Sequence, residues 1–204
     1  MNQIKLAIIT GPSGSGKTRL SNLLSKNLNN VLILRTDDYY KTGITSKFLS
    51  TVIKAYFDKS ISFNKKLFKK DIKSILRNRK VSHFYKYDFI EQKRLKLNKE
   101  ISKIDYLIIE GIFSLEIIKY LNKFNYILIR IRTTKKKCLD RVCKRDFKER
   151  GKNQNQSLKD FKNAWDIYIR KEKYFKLNNF KELFYFQKST DLEKILELLT
   201  TNIS

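Results

Sequence analysis

Eight consecutive residues near the start of the chain have the types and spacing of a phosphate-binding loop. They match the pattern G-x-x-x-x-G-K-[ST] and are Gly11, Pro12, Ser13, Gly14, Ser15, Gly16, Lys17 and Thr18. Glycines at these positions allow backbone N–H groups to turn inward around a β-phosphate, at the positive end of the next helix. Lys17 would place a charge near the β- and γ-phosphates, and the Thr18 hydroxyl suits Mg²⁺. A glycine-rich turn that binds nothing is the alternative interpretation.

The flanking sequence favours the phosphate-binding interpretation. The apolar run 4–9 predicts a buried strand, and residues 19–24 open an amphipathic helix. Strand, loop and helix in that order form the setting that the motif requires. The chain contains only six glycines and three of them lie in this loop, so each is expected to serve a backbone geometry that other residues rarely adopt.

Acidic side chains follow two further apolar runs that predict strands. Asp37 and Asp38 come shortly after the run 31–34, and Glu110 ends the run 106–110. Because ligands of parallel sheets bind beyond the carboxyl ends of the strands, these side chains are expected near the phosphate-binding loop. Glu110 would be the second protein partner of Mg²⁺, and Asp37 or Asp38 could accept a proton from an attacking hydroxyl. The other aspartate would be a helix cap or turn residue.

Arginine is concentrated in one predicted helix. Five of the eleven arginines lie close together, in a chain that otherwise uses lysine. Arg141, Arg145 and Arg150 belong to a basic helix expected over 134–150, which would end at Gly151. The rigid guanidinium fork suits the spread charge of a transferring phosphoryl group, and such a helix could close over it. The alternative is a basic helix that faces solvent.

The remaining patterns predict a doubly wound α/β fold with a mostly parallel sheet flanked by helices. Apolar periodicity indicates a helix over 65–78, an extended aromatic segment over 81–89, strands over 126–131 and 183–186, and a helix over 191–199. A polar loop is expected over 153–157, with Ser157 capping the helix that carries Trp165. The length and the absence of repeats and linkers predict a single domain over 1–204.

Composition excludes several classes of protein. Hydrophobic residues make up 41% of the chain and aromatic residues 13%, which is enough for a folded core and excludes a disordered chain. Cys138 and Cys143 are too few for a disulfide scaffold and lack the spacing of a zinc or redox motif. No uncharged apolar run has the length of a membrane span, and the first apolar run is too short for a signal peptide. A cytoplasmic protein with no membrane partner is expected.

The net charge of +25 could indicate a nucleic-acid partner. However, the excess comes from 34 lysines scattered along the chain, whereas sequence-specific readers of nucleic acids use arginine and clustered patches. We therefore expect no specific nucleic-acid partner, although nonspecific binding at low salt would follow from the charge.

Together these motifs resemble the uridine kinase family of P-loop nucleoside kinases, from about residue 4 to residue 186. The motifs occur in the family's order. They are the phosphate-binding loop, Thr36-Asp37-Asp38-Tyr39-Tyr40-Lys41, Tyr56-Phe57-Asp58, Lys86-Tyr87-Asp88-Phe89, Glu110-Gly111-Ile112-Phe113 and Arg145-Asp146-Phe147-Lys148-Glu149-Arg150-Gly151. The resemblance implies a P-loop kinase fold with a helical lid. Residues 11–18 would form the loop, about 42–100 a substrate-binding insertion and about 134–157 the lid.

The resemblance also implies an activity, the ATP- and Mg²⁺-dependent phosphorylation of the 5′-hydroxyl of a pyrimidine ribonucleoside, uridine or cytidine. The implied catalytic residues are Asp37, Lys17 and Arg145. ATP would be bound by Gly11, Ser13, Gly14, Ser15, Gly16, Lys17, Thr18, Arg141 and Arg150, Mg²⁺ by Thr18 and Glu110, and the nucleoside by Asp58, Tyr87, Gln92 and Lys152. A carboxylate suits a ribose diol and an aromatic face suits a flat base, in agreement with Asp58 and Tyr87. A small-molecule nucleoside is the implied partner, and a homo-oligomer is an open alternative.

The departures from the family's pattern lie on the nucleobase side of the expected site. Gln92 stands where the family has the histidine that reads the pyrimidine, and Lys152 stands where it has an arginine. Val142 replaces a second lid arginine, and Asp160-Phe161 replaces a Gln-Tyr pair. The phosphate side is intact, so phosphoryl transfer is expected while the identity of the acceptor stays open. His83, the only histidine, is expected to be structural.

Other functions stay open at this point. A kinase of the same fold class could act on nicotinamide riboside, pantothenate or a sugar phosphate, and two aromatics after Asp37-Asp38 would suit the riboside. A GTP-dependent switch protein would need an Asn-Lys-x-Asp motif, and the nearest candidate, residues 122–125, lacks the aspartate. A basic nucleic-acid-binding protein with a vestigial nucleotide site is the third alternative.

Overall fold

A five-stranded parallel sheet forms the centre of the fold. The computed structural model describes residues 3–121, 123–177, 183–187 and 190–201. The strands are β1 (Lys5–Thr10), β2 (Val31–Arg35), β3 (Val81–Asp88), β4 (Lys93–Ile101), β5 (Tyr106–Glu110), β6 (Tyr126–Ile131) and β7 (Leu183–Phe186). The central sheet has the order β2-β5-β1-β6-β7 with every neighbouring pair parallel, and β3 and β4 form a separate antiparallel hairpin.

Seven α-helices accompany the strands in the described part of the chain. They are α1 (Lys17–Asn27), α2 (Ile44–Val52), α3 (Lys65–Asn78), α4 (Ser114–Ile117), α5 (Lys135–Arg150), α6 (Gln154–Leu177) and α7 (Thr190–Thr200). Short 3₁₀ turns cover Thr36–Tyr39, Tyr56–Asp58, Ser60–Ser62 and Ile118–Tyr120. None of the helices described is both long and apolar enough to cross a membrane.

Apolar side chains on both faces of the sheet explain why helices cover it on both sides. The sheet strands are continuous apolar runs, which is typical of parallel strands buried on both faces. On one face, Ile9 of β1 belongs to a core cluster with Leu24 of α1 and Ile195 of α7. On the other face, Ile8 belongs to a cluster with Phe68 of α3. The predicted doubly wound α/β fold, with a mostly parallel sheet flanked by helices, is confirmed.

Two of the elements that lie outside the sequence predictions, β4 and α2, bury no clear apolar face. The segment predicted as extended over 81–89 is confirmed as β3, but its partner β4 is largely exposed, and its Leu95 and Leu97 are only about half covered. In α2 the apolar side chains of Ile44, Phe48 and Val52 are at least 65% exposed. Sequence patterning detects elements that turn an apolar face to the core, so it does not identify these two.

The junction between α5 and α6 corrects one prediction. The polar loop predicted over 153–157 is wrong, because α6 begins at Gln154. Asn153 caps the helix: its Oδ1 accepts a hydrogen bond from the backbone N–H of Gln156 (2.9 Å), and Gln156 Oε1 accepts one from the N–H of Asn153 (3.2 Å). Ser157 is therefore not the cap and lies buried within α6.

We predict that α6 depends on Asn153, and not on Ser157, for its N-terminal cap. Asn153→Ala removes the side-chain oxygen that accepts from the N–H of Gln156, while its own backbone N–H can still donate to Gln156, and should lower the free energy of unfolding by about 1 kcal/mol. Ser157→Ala should change it by less than about 0.5 kcal/mol, because the Ser157 Oγ has no hydrogen-bond partner among the described residues. Urea denaturation of both variants measures the difference, and a larger loss for Ser157→Ala would contradict the cap assignment.

Candidate active site

The phosphate-binding loop connects the end of β1 to the start of α1. Lys17 is the first residue of α1 and is buried, and its Nζ donates hydrogen bonds to the backbone oxygens of Gly11 (3.0 Å) and Pro12 (3.1 Å). Burial lowers the pKa of Lys17 below its ordinary value, and the carboxylates of Glu110 and Asp37 oppose that shift. A buried ammonium of this kind suits phosphate oxygens, because an anion offsets its lost hydration.

Further features of the loop fit the phosphates of a nucleotide. The Ser15 hydroxyl is buried without a hydrogen-bond partner among the described residues. Arg141 of α5 donates from Nη1 to the backbone oxygens of Gly14 and Ser15, both at 3.2 Å. Gly14 lies so close to α5 that a Cβ there would collide with the backbone oxygen of Cys138. Cationic and hydroxyl donors thus converge on the N-terminus of α1, where anions are favoured.

Thr18 and Glu110 meet at the edge of the sheet. Glu110 ends β5 and pairs in register with Ile9 of β1, so its side chain reaches α1, where the Thr18 hydroxyl donates to its Oε1 (2.8 Å). Arg35 Nε lies 3.6 Å from the same oxygen. The described residues contain no group of three or more His, Cys, Asp or Glu side chains that could hold a metal ion. Thr18 and Glu110 fit Mg²⁺ in which phosphate oxygens and water complete the coordination.

The 3₁₀ turn after β2 separates the two aspartates that the sequence leaves as alternatives. Asp37 lines the cavity beside the phosphate-binding loop, and its Oδ1 accepts a hydrogen bond from the N–H of Ile112 (3.2 Å). Asp38 accepts instead from the N–H of Tyr87 (3.0 Å), which joins the turn to β3. Burial raises the pKa of Asp38 to about 6. Asp37 is thus the aspartate available to a ligand.

Gly111 is what allows Asp37 to lie where it does. Its φ is +132°, and a Cβ at this position would collide with the side chains of Thr36 and Asp37. The next two residues hold the turn in place, because the N–H of Ile112 donates to Asp37 and the N–H of Phe113 donates to Thr36 Oγ1 (3.3 Å). The Glu-Gly-Ile-Phe segment therefore supports the carboxylate from the adjacent strand end.

A cavity of about 290 Å³ extends from the phosphate-binding loop into the molecule. Ser13 lies at its loop end together with Asp37, and Asp58 lies in its wall. Aromatic residues are also part of the lining, among them Phe57 and Phe89. The cavity thus combines carboxylates with flat apolar faces, which is an arrangement suited to a small polar ring compound.

Asp58 is a buried carboxylate in the 3₁₀ turn Tyr56–Asp58. The pKa of Asp58 is raised to about 6: burial is the largest cause and the nearby carboxylates of Asp37 and Asp160 add to it, whereas Lys171 and Lys152 act in the opposite direction. The turn is tied to α2 by a hydrogen bond of 3.0 Å between its tyrosine hydroxyl and Ser46. A pKa of about 6 leaves the carboxylate mostly ionised at neutral pH, and the ionised form is a strong acceptor for hydroxyl groups.

Two residues expected at the nucleobase do not line this cavity. Tyr87 is buried behind it, with its ring 5.0 Å from Tyr40 and 5.1 Å from Phe89. Phe89 lines the cavity in its place, and the Arg150 guanidinium lies 3.9 Å above its ring. Gln92 lies in the hairpin turn at a φ of +51° and accepts a hydrogen bond from Ser50 (3.3 Å), which does line the cavity.

The α5–α6 segment contributes the basic side chains of the cavity. Arg145 and Arg150 both pair with buried Asp146, at 2.7 and 3.5 Å. Beyond the end of α5, the Lys152 Nζ donates to Asp160 Oδ2 (2.7 Å), and both residues line the cavity. Arg145, Arg150 and Lys152 therefore lie around the same cavity as Asp37 and Asp58.

A second cavity, of about 520 Å³, lies on the other side of the phosphate-binding loop. Its lining includes Ser15 and Gly16 of the loop, Arg19 of α1, and Thr134 and Lys137 at the start of α5. The loop thus separates two cavities, one basic and one rich in carboxylates and aromatic rings. Such a division suits two ligands that meet at the loop.

Comparisons with known proteins agree with this geometry. The model of the phosphoribulokinase/uridine kinase family matches residues 6–176. A uridine kinase of Staphylococcus epidermidis is 32% identical over 166 residues, which is 80% of this chain and 79% of that protein. A uridine kinase of Borrelia turicatae is 35% identical over 109 residues, 53% of this chain and 52% of that protein. A solved structure named as a possible uridine kinase from Bacillus stearothermophilus has a TM-score of 0.59 at 18% identity, with 90% of this chain and 89% of that chain covered.

We predict that Gly111→Ala destabilises the protein more than Gly43→Ala does. Both glycines have a positive φ, but only Gly111 has neighbouring side chains where a Cβ would lie. The collision with Thr36 and Asp37 should cost about 1–3 kcal/mol in addition to the backbone strain that both substitutions share. Urea denaturation measures the two free energies of unfolding. Equal losses would show that the close approach of Asp37 to Gly111 is not a packing constraint.

Proposed function

We propose that this chain, which belongs to the phosphoribulokinase/uridine kinase family, transfers the γ-phosphoryl group of ATP to the 5′-hydroxyl of a pyrimidine ribonucleoside. The chain is a phosphotransferase that acts on an alcohol group. The observation that carries the finer proposal is the position of Asp37, which lines one cavity together with Ser13 of the phosphate-binding loop and Asp58. The relatives named uridine kinase support the choice of a pyrimidine nucleoside.

The donor side of the proposed reaction involves the phosphate-binding loop and the larger cavity. Lys17 and the N-terminus of α1 would bind the phosphates of ATP, and Arg141 would hold the loop from the side of α5. The larger cavity would receive the rest of the nucleotide, since it adjoins Ser15 and Gly16 on the far side from Asp37. When bound between Thr18, Glu110 and the phosphates, Mg²⁺ would neutralise charge on the phosphate oxygens.

The acceptor side involves the cavity of carboxylates and aromatic rings. Ionised Asp58 would accept hydrogen bonds from the two ribose hydroxyls, and the rings of Phe57 and Phe89 would face the flat base. Lys152 and Asp160 present a donor and an acceptor 2.7 Å apart in the same wall. A pyrimidine edge also carries a donor next to an acceptor, so this pair would replace the histidine contact of the family.

Asp37 would act as the general base in the transfer step. The acceptor hydroxyl gives its proton to the Asp37 carboxylate while its oxygen bonds to the γ-phosphorus and the bond from that phosphorus to the β–γ bridging oxygen of ATP breaks. Arg145 lines the same cavity and would balance the negative charge spread over the transferring group. The backbone N–H of Ile112 donates a hydrogen bond to Oδ1 of Asp37 and so keeps the carboxylate in position.

A second candidate acceptor is nicotinamide riboside, whose ring carries a positive charge. Asp160 and Asp58 place carboxylates beside the aromatic rings of the cavity, and both features favour a cationic ring. The ribose contacts and the transfer step would be the same for this acceptor. Only the contacts to the base would differ, so the rates with the two acceptors have to be compared directly.

We predict that Asp37→Asn lowers kcat with uridine far more than Asp38→Asn does. Asp37→Asn should lower kcat by about 10²–10⁴-fold with little change in the KM for ATP, because it removes a proton acceptor and keeps the shape. Asp38→Asn keeps an oxygen that can accept from the N–H of Tyr87, so its kcat should fall far less. ADP formation measured with uridine tests both variants beside the unmodified protein. A protein that binds ATP but does not phosphorylate uridine, or a more severe loss in Asp38→Asn, would contradict the proposal.

A further inference from the structure

We propose that Lys171 is a positioning residue for the acceptor. It joins the turn that carries Asp58 to α4, which directly follows the segment that hydrogen-bonds Asp37. This inference rests on the proposed function, in which Asp58 binds the ribose. Lys171 lies on α6 and matches none of the motifs that the sequence analysis identified.

The ammonium of Lys171 connects three elements. Its Nζ donates to Glu116 Oε1 on α4 (2.6 Å) and to the backbone oxygen of Asp58 (3.2 Å). The Lys171 and Glu116 side chains are only 20% and 10% exposed. A largely buried ion pair with a further hydrogen bond holds its geometry well, because each charge would be costly to leave without its partner.

The turn that carries Asp58 is already tied to α2 through the Tyr56 hydroxyl, and Lys171 adds a second anchor at Asp58 itself. The turn follows Ala55, which has a φ of +54°, a left-handed conformation that is strained for a residue with a Cβ. The N–H of Asp58 donates to the backbone oxygen of Ala55, a bond that shapes the turn without fixing it to the sheet. The hydrogen bond from Lys171 connects the Asp58 peptide itself to α6.

The other end of the connection leads to the proposed general base. Glu116 lies on α4, which begins three residues after Gly111, and the intervening Ile112 donates its N–H to Asp37. Lys171 therefore links the segment that orients Asp37 to the turn that presents Asp58. The 5′-hydroxyl and the ribose diol belong to one small sugar, so the separation of the two carboxylates decides whether both can contact it in a geometry productive for transfer.

Lys171 also acts on the charge of Asp58. The charged groups with the largest effects on the pKa of this carboxylate are Asp37, Lys171, Asp160 and Lys152, and of the two lysines Lys171 lowers the pKa the more. Arg145 and Arg150 line the same cavity. Without the ammonium, the ionised form of Asp58 would be disfavoured further. Binding of ribose hydroxyls by the carboxylate would then be lost at a higher pH.

The test compares Lys171→Met with Lys171→Arg in steady-state kinetics with uridine and ATP. Lys171→Met keeps most of the apolar stem and removes the donor and the charge, so the KM for uridine should rise about 10- to 100-fold while the KM for ATP is little changed. The acid limb of kcat/KM for uridine should also move to higher pH. Lys171→Arg should restore much of the uridine KM and the original acid limb, because it keeps a donor and the charge.

Two control variants isolate the effect. Lys173→Met makes the same change at an exposed position of α6 and should leave both KM values unchanged. Glu116→Gln keeps the shape and an accepting oxygen but removes the negative partner, so it should raise the KM for uridine in the same direction by a smaller factor. If Lys171→Met does not fold, the KM for uridine of Glu116→Gln tests the inference instead.

Asp58→Asn, measured in the same assay, distinguishes failure of this inference from failure of the proposed function. If Asp58→Asn raises the KM for uridine and neither Lys171→Met nor Glu116→Gln does, Lys171 is not a positioning residue. The assignment of Asp58 to the ribose would be unaffected by that result. Equal rises of the KM values for uridine and ATP in Lys171→Met would indicate general disruption and would also overturn the inference. If Asp58→Asn has no effect on uridine, the assignment of the ribose site is itself wrong.

Discussion

The parallel alignment of β2, β5 and β1 is the constraint on which the site depends. In this sheet Arg35, Glu110 and Ile9 lie side by side at the carboxyl ends of the three strands. The segments that follow β1 and β2 must therefore leave the sheet at the same edge. The phosphate-binding loop, the Thr36–Tyr39 turn and the Glu110 carboxylate come together because the strands are in this register. Hydrogen bonds of about the usual length then complete the arrangement, from Thr18 to Glu110 and from Ile112 to Asp37.

The acceptor cavity is built differently, from segments that are remote from the sheet in sequence. Asp58 comes from a 3₁₀ turn after α2, Phe89 from the end of the hairpin, and Lys152 and Asp160 from the α5–α6 junction. Ion pairs and cation–π contacts hold these segments together, such as those of Arg150 with Asp146 and with Phe89. A site whose phosphate side is part of the sheet and whose acceptor side is assembled from insertions can change its acceptor while it keeps its chemistry.

The sequence predicts the phosphate side in far more detail than the acceptor side. A spaced motif between a strand and a helix determines where Lys17 and Thr18 lie, and the end of an apolar strand determines where Glu110 lies. Which of Asp37 and Asp38 lines the cavity depends on the side of one 3₁₀ turn that each residue occupies. Hydrophobic periodicity does not predict this for two adjacent polar residues. Tyr87 lies near the end of β3 and Phe89 in the turn that follows, and the sequence does not report which of the two rings packs on Tyr40 and which reaches the cavity. Likewise, Ser157 has the residue type of a cap, but the reciprocal bonds of Asn153 begin the helix earlier.

The most direct measurement is ADP release from ATP and Mg²⁺ with uridine, cytidine, nicotinamide riboside and no acceptor in parallel, with the product of each reaction identified by mass spectrometry and ³¹P NMR. The account predicts strong stimulation by uridine or cytidine and a nucleoside 5′-monophosphate as the product. Stimulation by nicotinamide riboside alone, or no stimulation by either pyrimidine nucleoside in protein that binds ATP, would contradict the pyrimidine assignment.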